Sequence, residues 1–289
     1  MLRPFRLEEP ESVKEASEAL ARYGDSAKVY AGGTELLLAM KEGLIHFECL
    51  VNVKKIPGLD EVRRDNGSLR IGALSTHREL ERSEMLADAL PVLVEMEHNV
   101  ANLRVREVGT LGGNLTFAEP HADPGTLLLA LDATVVAQKA GGEREIPMNE
   151  FFVDAYEAAI EEDEVLTEIV VPVPGANAAV RYRKFGYLER PSAGVALHVM
   201  ADDARRSVRD VRVAVGCVGP KSMRVEEAEA VLRGKSLEEA ANAMAEAGDI
   251  AGRAADAISD LHGSAEYKEH IVKVLLTRAF NDIRAELAG

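Results

Sequence analysis

Residues 29–36 read Val29-Tyr30-Ala31-Gly32-Gly33-Thr34-Glu35-Leu36, and the reading of this stretch decides the fold. Residues 27–30 have the character of a short strand, the glycine pair of a tight turn, and 34–40 (TELLLAM) of the start of an apolar helix that ends at Gly43. Residues 49–53 supply a second buried strand. Strand, turn, helix and strand in this order predict a parallel pair, because parallel neighbours need a crossover connection. Upstream, Ser12 and Glu15 have capping-box spacing, Val13, Ala16, Ala19 and Leu20 recur at helical intervals, and Gly24 stands where a C-cap is expected.

Downstream the texture changes. Asn66-Gly67 is the strongest short hairpin signal and sits between segments 61–64 and 69–71. Helical patterning runs through 76–94 and again over 123–131, with strands expected at 134–138 and 165–171. Between these, an extended segment leads into Thr110-Leu111-Gly112-Gly113-Asn114. The Pro172-Val173-Pro174-Gly175 break is the main boundary. Beyond it come strands at 181–185, 195–200 and 208–215, then helices at 224–233, 237–248 and 265–287. The fold class is therefore α+β. The expected divisions are residues 1–57 and 58–175 as two N-terminal subdomains and 176–289 as a C-terminal domain with a three-stranded antiparallel sheet backed by helices.

Composition narrows the function. The 34 basic and 49 acidic residues give a net charge of −15, which argues against a nucleic-acid-binding face or a basic membrane patch. There is no run of 18 apolar residues, and the charged start MLRPFRLEEPESV lacks the apolar stretch of a signal peptide. Cys49 and Cys217 are the only cysteines and lie far apart, so neither an iron–sulfur ligand set nor a disulfide framework is present, and a reducing cytoplasm fits. His77 and His121 lie near the glycine motifs without a second ligand at metal spacing.

The two glycine pairs carry the chemistry. A phosphate needs backbone N–H groups aimed at one point, no Cβ in the way, and preferably a helix N-terminus. A chain this acidic should hold a diphosphate with neutral amides and hydroxyls, and Thr34, Thr110 and Asn114 supply side-chain donors. Glu35 competes for the same amides unless it points away, and a helix-dipole role suits it better. The plainer reading is that both pairs serve turns alone. Valine at Gly32 or Gly113 is expected to expel a cofactor while leaving the fold largely intact.

The AGGTE turn (31–35), the TLGGN turn (110–114), Ala118-Glu119-Pro120-His121-Ala122-Asp123-Pro124, Glu150-Phe151-Phe152, EDEVLTEIVVP (162–172) and VGCVGP (215–220) occur in an order and spacing that resemble the FAD-binding medium subunit of molybdenum hydroxylases of the carbon monoxide dehydrogenase and xanthine dehydrogenase families. The resemblance covers essentially the whole chain. It implies a two-subdomain FAD-binding fold of the vanillyl-alcohol-oxidase (PCMH) type, with FAD extended between the subdomains. By position it assigns Val29, Tyr30, Ala31, Gly32, Gly33, Thr34, Glu35 and Leu36, with Thr110, Leu111, Gly112, Gly113 and Asn114, to the diphosphate and its neighbours. It further implies cofactor contacts at Asp123, Leu166 and Lys184. Val100 falls where the xanthine dehydrogenase pattern has an aromatic ring, a departure that leaves stacking there without its usual group. The turn reads AGGTE rather than the AGGHS of carbon monoxide dehydrogenases, which leans towards the xanthine dehydrogenase side. Asp123, read by itself, is a helix N-cap followed by Pro124, and Lys184 a solvated strand residue. Tyr187 is a candidate to cover the flavin ring.

The resemblance also implies an electron-transfer role. A small subunit with [2Fe-2S] clusters delivers electrons to FAD, a large molybdopterin-binding subunit oxidises the substrate, and NAD or a quinone accepts. A dimer of heterotrimers is the implied assembly. The alternatives are a self-contained flavin oxidase and a noncatalytic scaffold.

Overall fold

A computed structural model describes residues 2–186 and 189–288. Tyr187 lies outside the described residues. The N-terminal sheet is parallel, in the order Arg6–Glu8, Cys49–Asn52, Ala27–Tyr30. Its central strand, CLVN, is buried along its length, as a strand covered on both faces must be. The helix Val13–Tyr23 packs on it, with the Ser12 hydroxyl accepting from the Glu15 N–H. The crossover helix runs Leu36–Glu42, two residues later than expected, and ends at Gly43 with φ 78°. The edge strand Arg6–Glu8 has no clear signal in the sequence.

The middle sheet has five antiparallel strands in the order Val62–Asp65, Ser68–Gly72, Val165–Pro172, Thr134–Lys139, Gly142–Pro147. Asn66 and Gly67 turn the first hairpin with φ 46° and 81°, both left-handed. The 76–94 region divides into His77–Arg82, Glu84–Ala89 and Pro91–His98, split at Ser83 and Leu90. A bulge at Leu166/Glu168 bends the central strand where it borders the cleft described below.

Two expectations need correction here. The segment before Thr110 is helical (Leu103–Arg106) rather than extended, and TLGGN is the opening of the helix Leu111–Phe117 rather than a free-standing turn. Asp123 is not an N-cap, because Ala122 occupies that position and Asp123 is the first residue of the helix Asp123–Ala130.

The C-terminal sheet is antiparallel with four strands, not three. Met223–Arg224 adds a short fourth beside Ala178–Phe185, Ala193–Ala201 and Val208–Gly216. One face packs on the long helices Leu237–Ala254 and Ala265–Ala288. The other face contributes Val180, Tyr182, Ala196 and Ala214 to the core of the middle sheet and its helices. That shared core fixes Tyr182 and Lys184, two residues apart on one face of their strand, against the helix that begins at Asp123.

Candidate functional site

The two glycine bends meet. A β-carbon on Gly32 would lie 2.2 Å from the Val108 carbonyl oxygen and 2.9 Å from Gly109 Cα, and one on Gly109 would lie 3.5 Å from Thr34 Oγ1. Between them opens a cleft of about 540 Å³, within the range of small-molecule sites. Of the predicted residues, Val29, Ala31, Gly32, Gly33, Thr34, Glu35, Leu36, Val100, Thr110, Gly112, Gly113, Asn114, Asp123 and Leu166 line it.

Tyr30, Leu111 and Lys184 do not. Tyr30 supports the bend from behind, since a β-carbon on Gly33 would stand 2.6 Å from its ring, and Lys54 Nζ lies 4.5 Å from the ring centroid. Leu111 is fully buried core. Lys184 acts through a neighbour, donating to Asp123 Oδ2 at 2.8 Å and to the Asn99 carbonyl at 2.7 Å.

The bends differ in what they offer. Gly33 has φ 71°, and no acceptor among the described residues takes the N–H of Gly33, Thr34 or Glu35. In the second bend the amides are spent internally. Leu111 donates to Ser75 O at 3.0 Å, Gly112 to Ala73 O at 2.9 Å, Gly113 to Thr110 Oγ1 at 3.1 Å and Asn114 to Thr110 O at 2.9 Å. The second bend therefore contributes shape and side chains. Gly113 presents a surface without Cβ, and Asn114 Oδ1 is buried with no partner. A buried acceptor left unpaired costs about 1–3 kcal/mol. Free amides on one wall and an orphaned acceptor on the other fit a ligand that carries both anionic oxygens and hydroxyls, as FAD does.

Three cleft carboxylates, Glu35, Glu119 and Asp123, are each held by a cation. Glu35 stands at the N-cap of its helix but its side chain makes no capping bond; it pairs instead with Arg190 at 3.0 Å. Arg190 also reaches Glu119 at 3.5 Å, and Glu119 holds His121 Nδ1 at 3.1 Å. Burial raises the Glu119 carboxyl, but His121 and Arg190 outweigh it and the net shift is downward. Asp123 is buried, accepting from Tyr182 Oη at 2.6 Å as well as from Lys184. Burial pushes its carboxyl above the usual range, with Lys184 and Tyr182 pulling back. Burial likewise raises the Tyr182 hydroxyl and the Cys217 thiol well above their ordinary values, so neither ionises readily. Also on the cleft lining, a hydrogen bond with Asp25 raises the Glu162 carboxyl.

Sequence reasoning missed Arg190, which is 155 positions from Glu35 and has no local signature. It also missed Glu119, which lay in plain view in AEPHADP two residues before His121. Among the described residues no cluster of His, Cys, Asp and Glu is built to hold a metal ion, and no helix is long and apolar enough to cross a membrane.

Residues 3–174 match the FAD binding domain in molybdopterin dehydrogenase, and residues 191–283 match the CO dehydrogenase flavoprotein C-terminal domain. The chain is 31% identical to the carbon monoxide dehydrogenase medium chain of Hydrogenophaga pseudoflava, covering 98% of each. It is 31% identical to the 6-hydroxypseudooxynicotine dehydrogenase complex subunit alpha of Paenarthrobacter nicotinovorans, over 93% of this chain and 90% of that one. A solved structure of the carbon monoxide dehydrogenase of H. pseudoflava superposes with a TM-score of 0.93 at 33% identity, covering 99% of both chains.

Proposed function

The chain belongs to the FAD-binding family of the molybdopterin dehydrogenases, and from that premise we propose that its cleft holds FAD as the electron-transfer centre of a molybdenum hydroxylase complex. It is a flavoprotein subunit of an oxidoreductase. Bound FAD supplies chemistry that accepts electrons singly and releases them singly or in pairs. In this reading electrons reach the chain from [2Fe-2S] clusters in a small partner subunit. A large molybdopterin subunit oxidises the substrate, and NAD or a quinone takes the electrons away. The assembly is a dimer of heterotrimers in the cytoplasm.

The observation that carries the site assignment is the backbone contact of Gly32 with Val108 and Gly109, which joins two distant glycine motifs into one cleft. The Gly33, Thr34 and Glu35 amides would hold the diphosphate. Asn114 would accept from a cofactor hydroxyl, and Val29, Leu36, Val100 and Leu166 would supply apolar contact. Asp123 would meet the cofactor directly, positioned by Lys184 and Tyr182. Residues 1–57 and 58–175 act as the two FAD-binding subdomains of a PCMH-type fold, with 176–289 as the C-terminal domain. No residue of this chain need act as a general base on the organic substrate.

Purification from the native host with a tag on this chain tests the reading. One small iron–sulfur chain and one large molybdenum chain should accompany it, with substrate reducing the flavin only in that assembly. Full turnover by the lone chain with dioxygen would replace the reading with a self-contained flavin oxidase. An assembly that never takes up flavin would reduce the chain to a scaffold.

A further inference from the structure

Behind the cleft wall lies an acid–imidazole pair. His77 opens the helix His77–Arg82, its backbone N–H donating to Gly109 O at 3.0 Å, and Glu97 lies near the end of the helix Pro91–His98. His77 Nδ1 stands 2.6 Å from Glu97 Oε2, with the two side chains 2% and 0% exposed. We infer that this pair positions the cofactor: Glu97 fixes the imidazole through Nδ1, leaving Nε2 as a donor to the anionic linker of the bound dinucleotide. The inference rests on the FAD reading and deepens it by adding a side-chain contact that the amide bend lacks.

A buried histidine often serves packing alone, but three features separate this one. First, His77 borders the cleft while Glu97 sits wholly behind it. Second, a β-carbon on Gly109 would lie 3.3 Å from His77 Cδ2 and 3.5 Å from Thr34 Oγ1, so the Nε2-bearing edge of the ring and the Thr34 side chain of the free-amide bend flank the same backbone position. Third, Glu97 Oε1 is buried with no partner, and no other cation among the described residues pairs with this carboxylate. Pairs of this kind are poor stabilisers, since apolar replacements often do as well or better. An N–H at Nε2 donates to a phosphate oxygen while Nδ1 shares its hydrogen bond with Glu97.

Amide variants separate the two nitrogens. The asparagine amide of His77→Asn occupies the Nδ1 position and keeps the bond to Glu97, whereas the glutamine amide of His77→Gln reaches the Nε2 position. The full-length chain, with whatever copurifies, is freed of flavin and titrated with FAD by fluorescence quenching, then with ADP as competitor. His77→Asn should weaken both ligands about tenfold or more, with a smaller loss in His77→Gln. A structural pair predicts the reverse order, and that result overturns the inference. So does a His77→Asn chain that loses FAD but holds ADP normally, because the contact would then lie on the flavin side. Should His77→Asn fail to fold, Glu97→Gln gives the answer: reduced ADP affinity supports the pair, and unchanged affinity refutes it. Wild-type chain that binds neither ligand fails the FAD reading itself, a result distinct from variants that match a binding wild type.

Discussion

Gly32 faces Val108 so closely that a β-carbon on the glycine would stand 2.2 Å from the valine carbonyl oxygen, whereas a β-carbon on Gly113 would meet only the Thr110 hydroxyl, at 2.8 Å. The two glycines that looked equivalent in the sequence are therefore different probes. Gly32→Val must separate two backbone segments, an overpacking expected to cost about 3 kcal/mol. Gly113→Val enters open cleft space, and valine is the better helix former by a few tenths of a kcal/mol, set against a disturbed Thr110 cap worth about 1 kcal/mol. Urea unfolding of flavin-free protein should show Gly113→Val near wild type and Gly32→Val far below it, with flavin lost from both. Full flavin content in Gly113→Val would remove the second bend from the site.

Lys268 is fully buried, and its Nζ lies 2.6 Å from Asp260 Oδ2. The same carboxylate oxygen lies 3.2 Å from His121 Nε2, tying the last helix to the cleft mouth. Removing the carboxylate strands a buried ammonium, whereas removing the ammonium leaves a carboxylate that still has His121. Asp260→Asn should therefore cost about 3–5 kcal/mol and Lys268→Met considerably less. Comparing the two midpoints in denaturant checks the asymmetry; equal losses would mean that Lys268 escapes to solvent when unpaired.

Much of this architecture was legible because it is local. Ser12, Gly43 and Asn66-Gly67 declare their caps and turn through chemistry completed within a few residues. The segment 110–114 misled because Thr110 capping Gly113 and a free glycine turn have the same composition; only the Ser75 and Ala73 carbonyls, supplied from elsewhere in the chain, decide for the helix. Asp123 misled for a related reason. Its place at the start of a helix was readable to within one residue, but the Tyr182 and Lys184 that turn it into a buried acceptor come from the C-terminal sheet. The Glu35–Arg190 pair and the His77–Glu97 pair are long-range as well, and periodicity carries no signal for either.

Glu81 predicts how the wall near Val100 responds to acid. It meets Arg78 at 2.8 Å, His98 at 2.7 Å and Arg106 at 3.1 Å, and Arg106 Nη1 also donates to the Val100 carbonyl at 2.9 Å. Burial would raise the Glu81 carboxyl, but these partners bring it from 4.5 to about 2. Between those values the folded chain binds fewer protons at Glu81 than the unfolded chain does. Stability from this group is thus complete above pH 4.5 and lost as pH falls towards 2. Thermal melts across that window should show a shallower acid slope in Glu81→Gln than in wild type. Parallel slopes would show that the cluster does not report on folding.

Asn114 separates cofactor binding from stability most cleanly, because its two expected effects have opposite signs. Its Oδ1 is buried at the cleft without a hydrogen-bond partner, so the flavin-free chain bears the desolvation of an acceptor that receives nothing. Asn114→Ala removes that acceptor and should hold or raise the flavin-free melting point, since leaving a buried acceptor unpaired costs about 1–3 kcal/mol. The same change should weaken FAD by about tenfold through loss of a bond formed only in the complex. Asn114→Asp sharpens the contrast, because it keeps an oxygen acceptor for the cofactor hydroxyl and should weaken FAD less than alanine does. A residue that merely packs the wall would lower stability and affinity together, so a fall in both for Asn114→Ala would exclude it from the cofactor contacts.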